Sequence, residues 1–325
     1  MNLSKFKKIP SSPWGTQKVL QVGTYEGGFA EIPSLTGVRG VLSHKRWHYV
    51  WAANDQILLT AAVIDGGYIG NAFVSVTDLE RGKLLVEKSF LGLPKLQASV
   101  NDQPGRGAHA EFVGLGKRLV MEWGEDRSGM ELLFEAQGVS AELFWDATGA
   151  PPPITVVGEM KKGLGVFTQK TNLLKVSGGV KIKGRKRDFR GAVGGLDFTS
   201  GYLPRVTRWN WVMGSGALAD GTPFGCNLAV GNNLGGQSEN ALWLGSDLVP
   251  VGLVRFSHEN RAWGIKSIKP GIDLCFEGKA WRKEDRELGL LSSHFSQGFG
   301  VLSGSVNGKE LGAVRAVCED QNLKW

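Results

Sequence analysis

Cysteine is scarce in this chain, which has only three among its 325 residues. Cys226, Cys275 and Cys318 are odd in number and far apart, so the sequence argues against a disulfide framework and favours a reducing compartment. The C-x-x-C pair that supplies two ligands in many zinc sites does not occur. We therefore predict a cytoplasmic protein without a structural zinc site.

Long apolar runs and the common nucleotide motifs are missing as well. No run of about 18 apolar residues occurs, so the sequence predicts no transmembrane helix. The lysines in residues 1–20 are not followed by the apolar stretch of a signal peptide. The absence of a G-x-S-x-G elbow, a P-loop and a G-x-G-x-x-G turn argues against serine hydrolases of that type and against nucleotide- or dinucleotide-binding proteins.

Histidine is also infrequent, with five residues and one pair at ligand spacing, His44 and His48. A spacing of i and i+4 brings two ligands together on a helix. In a strand, which the surrounding pattern predicts, the two side chains would lie about 13 Å apart. We therefore expect no metal site and no other cofactor.

Glycine, in contrast, is abundant, at 47 of 325 residues, about twice the usual ~7%. Many glycines favour tight turns between short strands, and short apolar or alternating runs recur along the whole chain. Gly278–Leu291 is the one stretch considered for a short helix, but its apolar spacing is poor. With 42% hydrophobic and 21% charged residues there is ample material for a core. The sequence predicts an all-β protein.

Positive charge is concentrated in one stretch. The net charge is +7, and Lys161 to Arg190 holds ten lysines or arginines and one acid, Asp188. The stretch can be a solvated turn between two strands, a contact for anionic lipid or an acidic ligand, or a nucleic-acid contact. No nucleic-acid module accompanies it, so we predict no nucleic-acid partner and keep weak contact with an anionic membrane surface as an open alternative.

An internal repeat indicates two domains. Arg46-Trp47-His48-Tyr49-Val50 matches Arg208-Trp209-Asn210-Trp211-Val212 at an offset of 162 residues, about half the chain. Together with a proline-rich break at Pro151–Pro153, this predicts one domain over 1–160 and another over 161–325. Each suits an antiparallel barrel of eight to ten strands, because closure removes exposed sheet edges and leaves a lumen for a small apolar ligand. Two stacked sandwiches fit the pattern too.

Several motifs resemble one family. Asp197-x-Thr199-x-Gly201-x-x-x-Arg205-x-Thr207-x-Trp209-x-Trp211, with Phe167-Thr168-Gln169-Lys170 before it, is similar to the family called domain of unknown function 2804. Glu239-Asn240-Ala241-Leu242-Trp243 and the late Gln297-Gly298-Phe299-Gly300 fit as well. The resemblance is strongest over about 160–305. It implies a wider likeness to the hydroxyneurosporene synthase and AttH-like group, whose members have two tandem lipocalin-like (calycin-type) barrels.

The wider group includes hydratases and cyclases that fold an apolar substrate in a hydrophobic pocket beside one or two acids. The uncharacterised family itself carries no activity, so the resemblance transfers no residue role to this chain. Candidate site residues are therefore chosen by the chemistry of their own side chains.

Two acids are candidates for proton transfer. Asp197 lies before a turn that ends at Arg205, and either pins that turn as a salt bridge or acts as a proton donor in an apolar pocket. Glu239, in a polar loop before a strand, is the second candidate for the catalytic acid.

Two aromatic stripes, with neighbouring polar residues, are candidates for binding. They either pack in a core or form a stacking wall for a ring, polyene or carbocation. Arginine beside them can hold a carboxylate or phosphate. The candidate ligand-binding residues are Trp47, Tyr49, Arg205, Trp209, Trp211 and Asn240.

The sequence thus predicts an apolar pocket near the domain junction. The first interpretation is binding of a hydrophobic small molecule such as a lipid, fatty acid or isoprenoid. The alternative is a cofactor-independent hydratase, isomerase or cyclase that acts on such a molecule by proton transfer from Asp197 or Glu239.

Overall fold

The computed structural model describes residues 6–12, 20–29, 32, 43–161, 164–231, 234–259, 262–288 and 291–324. Within these ranges the secondary structure consists of 24 strands with turns between them and no helix. The all-β prediction is therefore confirmed. In the stretch Gly278–Leu291, residues 278–288 belong to a long strand that ends at Leu288, and Leu291 begins the next strand.

The first fifteen strands form one sheet. They are β1 Lys7–Lys8, β2 Gly23–Glu26, β3 His44–Ala53, β4 Ile57–Asp65, β5 Gly70–Asp78, β6 Lys83–Gly92, β7 Ala98–Val100, β8 His109–Gly114, β9 Lys117–Glu122, β10 Gly129–Ala136, β11 Val139–Asp146, β12 Ile154–Lys161, β13 Leu164–Ile182, β14 Arg185–Asp188 and β15 Ala192–Tyr202. The main path is β6-β5-β4-β3-β15-β13-β11-β10-β9-β8-β7. Its neighbours are antiparallel, and β7 packs back across β4, so the sheet makes a nearly closed barrel.

The last nine strands form the second sheet. They are β16 Val206–Leu218, β17 Pro223–Val230, β18 Ala241–Leu244, β19 Asp247–Pro250, β20 Val254–Glu259, β21 Ala262–Ser267, β22 Ile272–Leu288, β23 Leu291–Val306 and β24 Lys309–Lys324. Their order is β19-β18-β17-β16-β24-β23-β22-β21-β20. All neighbours in the order are antiparallel, and the sheet curls into a half-barrel in which β20 approaches β17.

The repeat found in the sequence occupies equivalent places in the two sheets. Its first copy lies in β3 and its second in β16. Each of these strands begins a four-strand antiparallel meander, β3 to β6 and β16 to β19, and each pairs on its other side with the last strand of its own sheet, β15 or β24. The chain therefore has two tandem lipocalin-like barrel domains.

The two sheets divide at a different place from the predicted boundary at 160/161. The proline-rich segment ends β11, but β12 then pairs with β13, and β13 returns to pair with β11. Because β13 and β15 complete the first sheet, that sheet continues to Tyr202, and the second begins at Val206. A proline run stops one strand without ending a sheet.

Each domain has its own core, and the domains share a third one. Val50 and Leu59 belong to the core of the first sheet, and Val212 and Phe276 to that of the second. The opposite face of β3 to β5 packs against β16, β23 and β24. This junction core contains, among others, Tyr49, Trp51, Trp211, Met213, Phe299 and Val317. Strand alternation thus turns the aromatic stripes away from the barrel interiors and toward the other domain.

The three cysteines are free, and Cys226 and Cys318 are buried. The part of the chain that the structure describes has no helix with the length and apolar character needed to span a bilayer. The cytoplasmic location inferred from the cysteines stays a prediction.

Asn172 of β13 links the two sheets directly, so its removal tests the junction. Its amide donates to the carbonyl oxygens of Gly214 (3.0 Å) and Cys226 (3.1 Å), which belong to β16 and β17, and its side chain is fully buried. Asn172→Ala removes both of these buried hydrogen bonds, and we expect the free energy of unfolding to fall by about 2–4 kcal/mol. Urea unfolding measures it. Asn322→Ala, which removes only an exposed contact with Arg208, should change stability by less than about 0.5 kcal/mol; equal effects would contradict the role of Asn172.

Candidate active site

A cavity of about 240 Å³ lies at the junction between the domains. Strands β3, β5, β13 and β15 contribute its walls on one side, and β16, β22, β23 and β24 on the other. Much of the wall is aromatic. The rings are Trp47, Tyr49, Tyr68, Phe73, Trp209, Trp211 and Phe295. The cavity is therefore outside both barrel interiors, between the outer faces of the two sheets.

Strand alternation explains the aromatic wall. Trp47 and Tyr49 are two residues apart in β3, and Trp209 and Trp211 are two apart in β16, so each pair faces one side of its sheet. The two stripes meet where the ring of Tyr49 packs edge-on against Trp211, with 5.6 Å between centroids. The Trp211 indole N–H donates to Asn227 at 2.8 Å, which fixes the ring.

A buried ion cluster lies in the wall. Lys170 of β13 is directly opposite Asp197 of β15 in the strand register, and its ammonium group donates a hydrogen bond to that carboxylate. The Lys170 Nζ is also 3.5 Å from Oε2 of Glu239, in the loop before β18. The side chains of Lys170 and Glu239 are only 4% and 5% exposed. One lysine thus joins acids from both domains.

The loop that carries Glu239 is held against the first domain. The hydroxyl of Thr24 donates to the carbonyl oxygen of Ser238 at 2.8 Å. At Gly158 of β12, a Cβ atom would lie 2.1 Å from the carbonyl oxygen of Leu234, so only glycine allows this approach. These contacts explain how a residue of the second domain reaches Lys170.

The environment shifts the pKa values of Glu239 and Lys170 in a consistent way. Burial raises the pKa of Glu239, and the positive charge of Lys170 opposes that shift only in part. Burial alone would lower the pKa of Lys170, but the charges of Asp197 and Glu239 outweigh it and raise the pKa. Lys170 therefore keeps its proton and acts as a fixed positive charge in the cavity wall.

A third acid, Glu319 of β24, faces the same cavity and differs from the other two. Burial raises its pKa to about 7, and the negative charge of Asp197 adds to the shift. Its carboxyl accepts hydrogen bonds from the indole N–H of Trp209 at 3.3 Å and from the amide of Gln297 at 2.7 Å. The same Gln297 amide also donates to the Tyr49 hydroxyl at 3.2 Å. Glu319 is thus oriented by neutral donors.

This arrangement separates the acids by role. A carboxyl that titrates near neutral pH can donate or accept a proton at little cost, which is what general acid–base catalysis requires. Asp197 and Glu239 engage Lys170 and set the local field. The aromatic faces around Glu319 can pack against an apolar ligand and stabilise positive charge on it.

Arg282 of β22 lines another part of the cavity wall. Its side chain is 2% exposed, and its guanidinium lies over the rings of Phe73 (4.3 Å) and Phe295 (5.2 Å). Nη2 donates to Glu284 at 2.6 Å, whereas Nε and Nη1 have no hydrogen-bond partner within the described part of the chain. Burial lowers its pKa.

Six of the eight predicted site residues line the cavity. They are Trp47, Tyr49, Asp197, Trp209, Trp211 and Glu239. Arg205 is exposed and precedes β16, where it lies close enough to Tyr68 to affect that residue's pKa. Asn240 is buried away from the wall: it accepts from the Ala229 amide at 2.6 Å and donates to the Gly252 carbonyl oxygen at 3.3 Å. Its role in this structure is to hold the loop.

Sequence reasoning missed Glu319, Lys170, Gln297 and Arg282. Two of them had a weak signal, because Lys170 and Gln297 fall inside stretches that support the family resemblance. Glu319 and Arg282 lie in long strands without a motif. Their positions at the cavity depend on the register between strands. Glu319 of β24, for example, is opposite Trp211 of β16 on one side and Gln297 of β23 on the other.

Fold and site together define a two-barrel protein with a small-molecule cavity between its domains. The chain belongs to the family described as domain of unknown function (DUF2804), whose model matches residues 20–325. No curated protein matches the chain.

Two solved structures share the fold. One is kievitone hydratase from Nectria haematococca, with 14% identity, a TM-score of 0.59 and coverage of 98% of both chains. The other is CghA with Sch210972, with 12% identity and a TM-score of 0.56, covering 93% of this chain and 98% of that one. At these identities the likeness concerns the fold.

The raised pKa of Glu319 predicts a pH dependence of stability. The folded state holds this proton up to about pH 7, whereas the unfolded chain releases it near its ordinary value of 4.5. The stabilising effect is therefore complete below pH 4.5 and is lost as the pH rises to 7, a difference of about 3 kcal/mol.

Glu319→Gln cannot titrate at this position, so its stability should fall less over the same pH range. Urea unfolding of both proteins from pH 4.5 to 7.5 measures the difference. Parallel curves for the two proteins would show that the carboxyl has an ordinary pKa.

Proposed function

We propose that this protein binds a mainly apolar small molecule in the junction cavity and transfers a proton to or from it, with Glu319 as the acid–base group. The observation that supports this most directly is a buried carboxyl with a pKa of about 7 beside an aromatic wall. A passive binding site needs no such group, whereas proton transfer near neutral pH does.

Glu319 is a better candidate for the moving proton than Asp197 or Glu239, the two acids that the sequence suggested. Both of those interact with the ammonium group of Lys170. Their proposed role is to hold a polar group of the ligand, or a water molecule, in a fixed orientation together with Lys170. Thr168, whose hydroxyl bonds to Glu239, supports that orientation.

The proposed step conserves protons, because the proton that Glu319 gives up is replaced at the end of the cycle. Neutral Glu319 donates its proton to an alkene or enol carbon of the ligand, and the resulting cation is stabilised by the faces of Trp209 and Trp211. Addition of water with loss of its proton, or loss of a neighbouring ligand proton, discharges the cation. The released proton returns to Glu319, so the cycle needs no cofactor. One structural neighbour is named as a hydratase, and that name is compatible with such a step.

An experiment in D2O tests the proposal and does not require that the ligand be identified first. The apolar extract of the protein's own source is incubated with the protein in D2O, and mass spectrometry finds the compounds that gain deuterium. We expect a compound class that exchanges or is converted with the wild type, and Glu319→Gln should lower that rate about 10²–10⁴-fold.

The matched control is Glu310→Gln, which changes an exposed acid in the same strand and should behave as the wild type does. No mass change in any compound would contradict proton transfer. If a compound then co-purified equally with wild type and Glu319→Gln, the function would be binding alone.

A further inference from the structure

We propose that the protein docks on an anionic membrane surface through apolar and basic connections of the first domain, beside the junction cavity. We define the apolar loop surface as Leu93, Leu96, Val113 and Leu115, and the basic turn as residues 181–187. This inference goes beyond proton transfer and does not depend on it, because docking is measured without turnover.

Exposed apolar side chains are concentrated at this surface. Of the eleven large apolar residues exposed in the described part of the chain, five lie between residues 91 and 115. Leu96 is 77% exposed, and Leu115, in the β8–β9 turn, is fully exposed. Single exposed leucines are common on protein surfaces, but a cluster of them indicates an interaction surface.

Backbone hydrogen bonds bring the two apolar segments together. The Val113 amide donates to the carbonyl oxygen of Gln97 at 2.8 Å, and the Gln97 amide donates to the carbonyl oxygen of Leu93 at 2.9 Å. The β6–β7 connection and the end of β8 therefore lie side by side, so adjacent segments carry these exposed apolar residues.

The basic turn lies next to this surface. Val113 and Lys117 border the same open depression as Lys181 and Gly184. In this turn β13 ends at Ile182 and β14 begins at Arg185. The exposed cations of the turn are Lys181, Lys183, Arg185, Lys186 and Arg187. The fold thus joins the basic stretch seen in the sequence to leucines that are distant in the chain.

Acidic residues near the apolar loop surface and the basic turn are fewer than basic ones. Glu135 borders the depression, and Asp188 ends β14. Glu111 forms an ion pair with Arg118 at 2.9 Å. Lys95, between Leu93 and Leu96 in the chain, is exposed and forms no ion pair with a described residue. The surface therefore has a net positive charge.

A surface that combines apolar side chains with cations suits an anionic bilayer better than it suits another polyanion. Leucines enter the boundary between headgroups and acyl chains while lysines and arginines attract anionic headgroups. A nucleic acid would use the cations but offers no apolar partner for exposed leucines. The surface also continues into the cavity, because the half-exposed Leu91, two residues before Leu93, lines its wall. A docked protein would thus present the cavity to apolar molecules dissolved in the membrane.

Vesicle co-sedimentation tests the proposal. We expect binding to phosphatidylcholine vesicles that contain phosphatidylserine and at least tenfold weaker binding to phosphatidylcholine alone. The double variant Leu96→Asp/Leu115→Asp should lose binding at least tenfold, and so should Lys186→Glu/Arg187→Glu. A rise in salt from 0.1 M to 0.5 M should weaken binding of the wild type similarly, because exposed charges are screened.

The matched control is Leu253→Asp/Ile268→Asp. These two residues are almost fully exposed but belong to the second domain, so this variant should bind as the wild type does. The proposal is overturned if wild type fails to bind the anionic vesicles, if the control loses binding equally, or if only the charge reversal matters. The last result would indicate general adhesion to polyanions.

The emission spectrum of an attached fluorophore is a second measurement of docking, and it does not depend on loss of binding. An environment-sensitive dye is attached to Leu115→Cys, and in a second sample to Leu253→Cys, both in a Cys275→Ser background because Cys275 is the exposed native cysteine. With anionic vesicles, the dye at position 115 should shift to an apolar spectrum and the dye at 253 should not. Equal spectra at both positions would contradict docking through this surface.

Discussion

The buried charge of Lys170 is the constraint on which the junction between the two domains depends. An ammonium group removed from water needs opposite charge close by, and removal of one partner from a buried pair costs about 3–5 kcal/mol. Lys170 finds Asp197 in its own sheet and Glu239 in a loop of the other domain. The ion cluster therefore fixes where the second domain sits, and it introduces charge into a junction whose other walls are largely aromatic.

The same exclusion of water gives the third acid its different character. Glu319 has no cation within hydrogen-bond range in the described part of the chain, only the neutral donors Trp209 and Gln297. Burial outweighs the hydrogen bonds from these donors, which lower the pKa, and raises it to about 7. The cavity thus holds two kinds of carboxyl, with and without a lysine partner, and the proposed function assigns them the roles of polar anchor and proton donor.

The parts of this structure that follow from local pattern were predictable from the sequence. Alternating runs broken by glycine predicted an all-β fold, and the Arg-Trp-x-aromatic-Val repeat predicted two related domains. Both signals can be read from short segments of sequence without knowledge of how the strands pair. The same alternation selected Trp47, Tyr49, Trp209 and Trp211, which do line the cavity. Asp197 and Glu239 were selected because the sequence suggested a turn or loop beside each. Glu239 does lie in a loop, whereas Asp197 lies within β15.

The parts that depend on pairing between distant strands were not predictable. Glu319 reaches the cavity because β24 pairs with β16 and β23 in one particular register, and nothing in a single strand encodes that register. Arg205 and Asn240 illustrate the converse. Their residue types suited a binding site, but Arg205 falls just outside β16, and Asn240 uses its amide to hold backbone groups. The return of β13 and β15 to the first sheet is likewise a pairing between distant strands that no local pattern marks.

A proton donor in the cavity requires that the Glu319 carboxyl titrate near neutral pH, and infrared spectroscopy can follow that titration. The carbonyl band of a neutral carboxyl, isolated as the difference between wild type and Glu319→Gln, is followed as the pH is raised. We expect a band that disappears with a midpoint close to pH 7. A midpoint near the ordinary value of 4.5 would contradict it and would leave the cavity without its proposed proton donor.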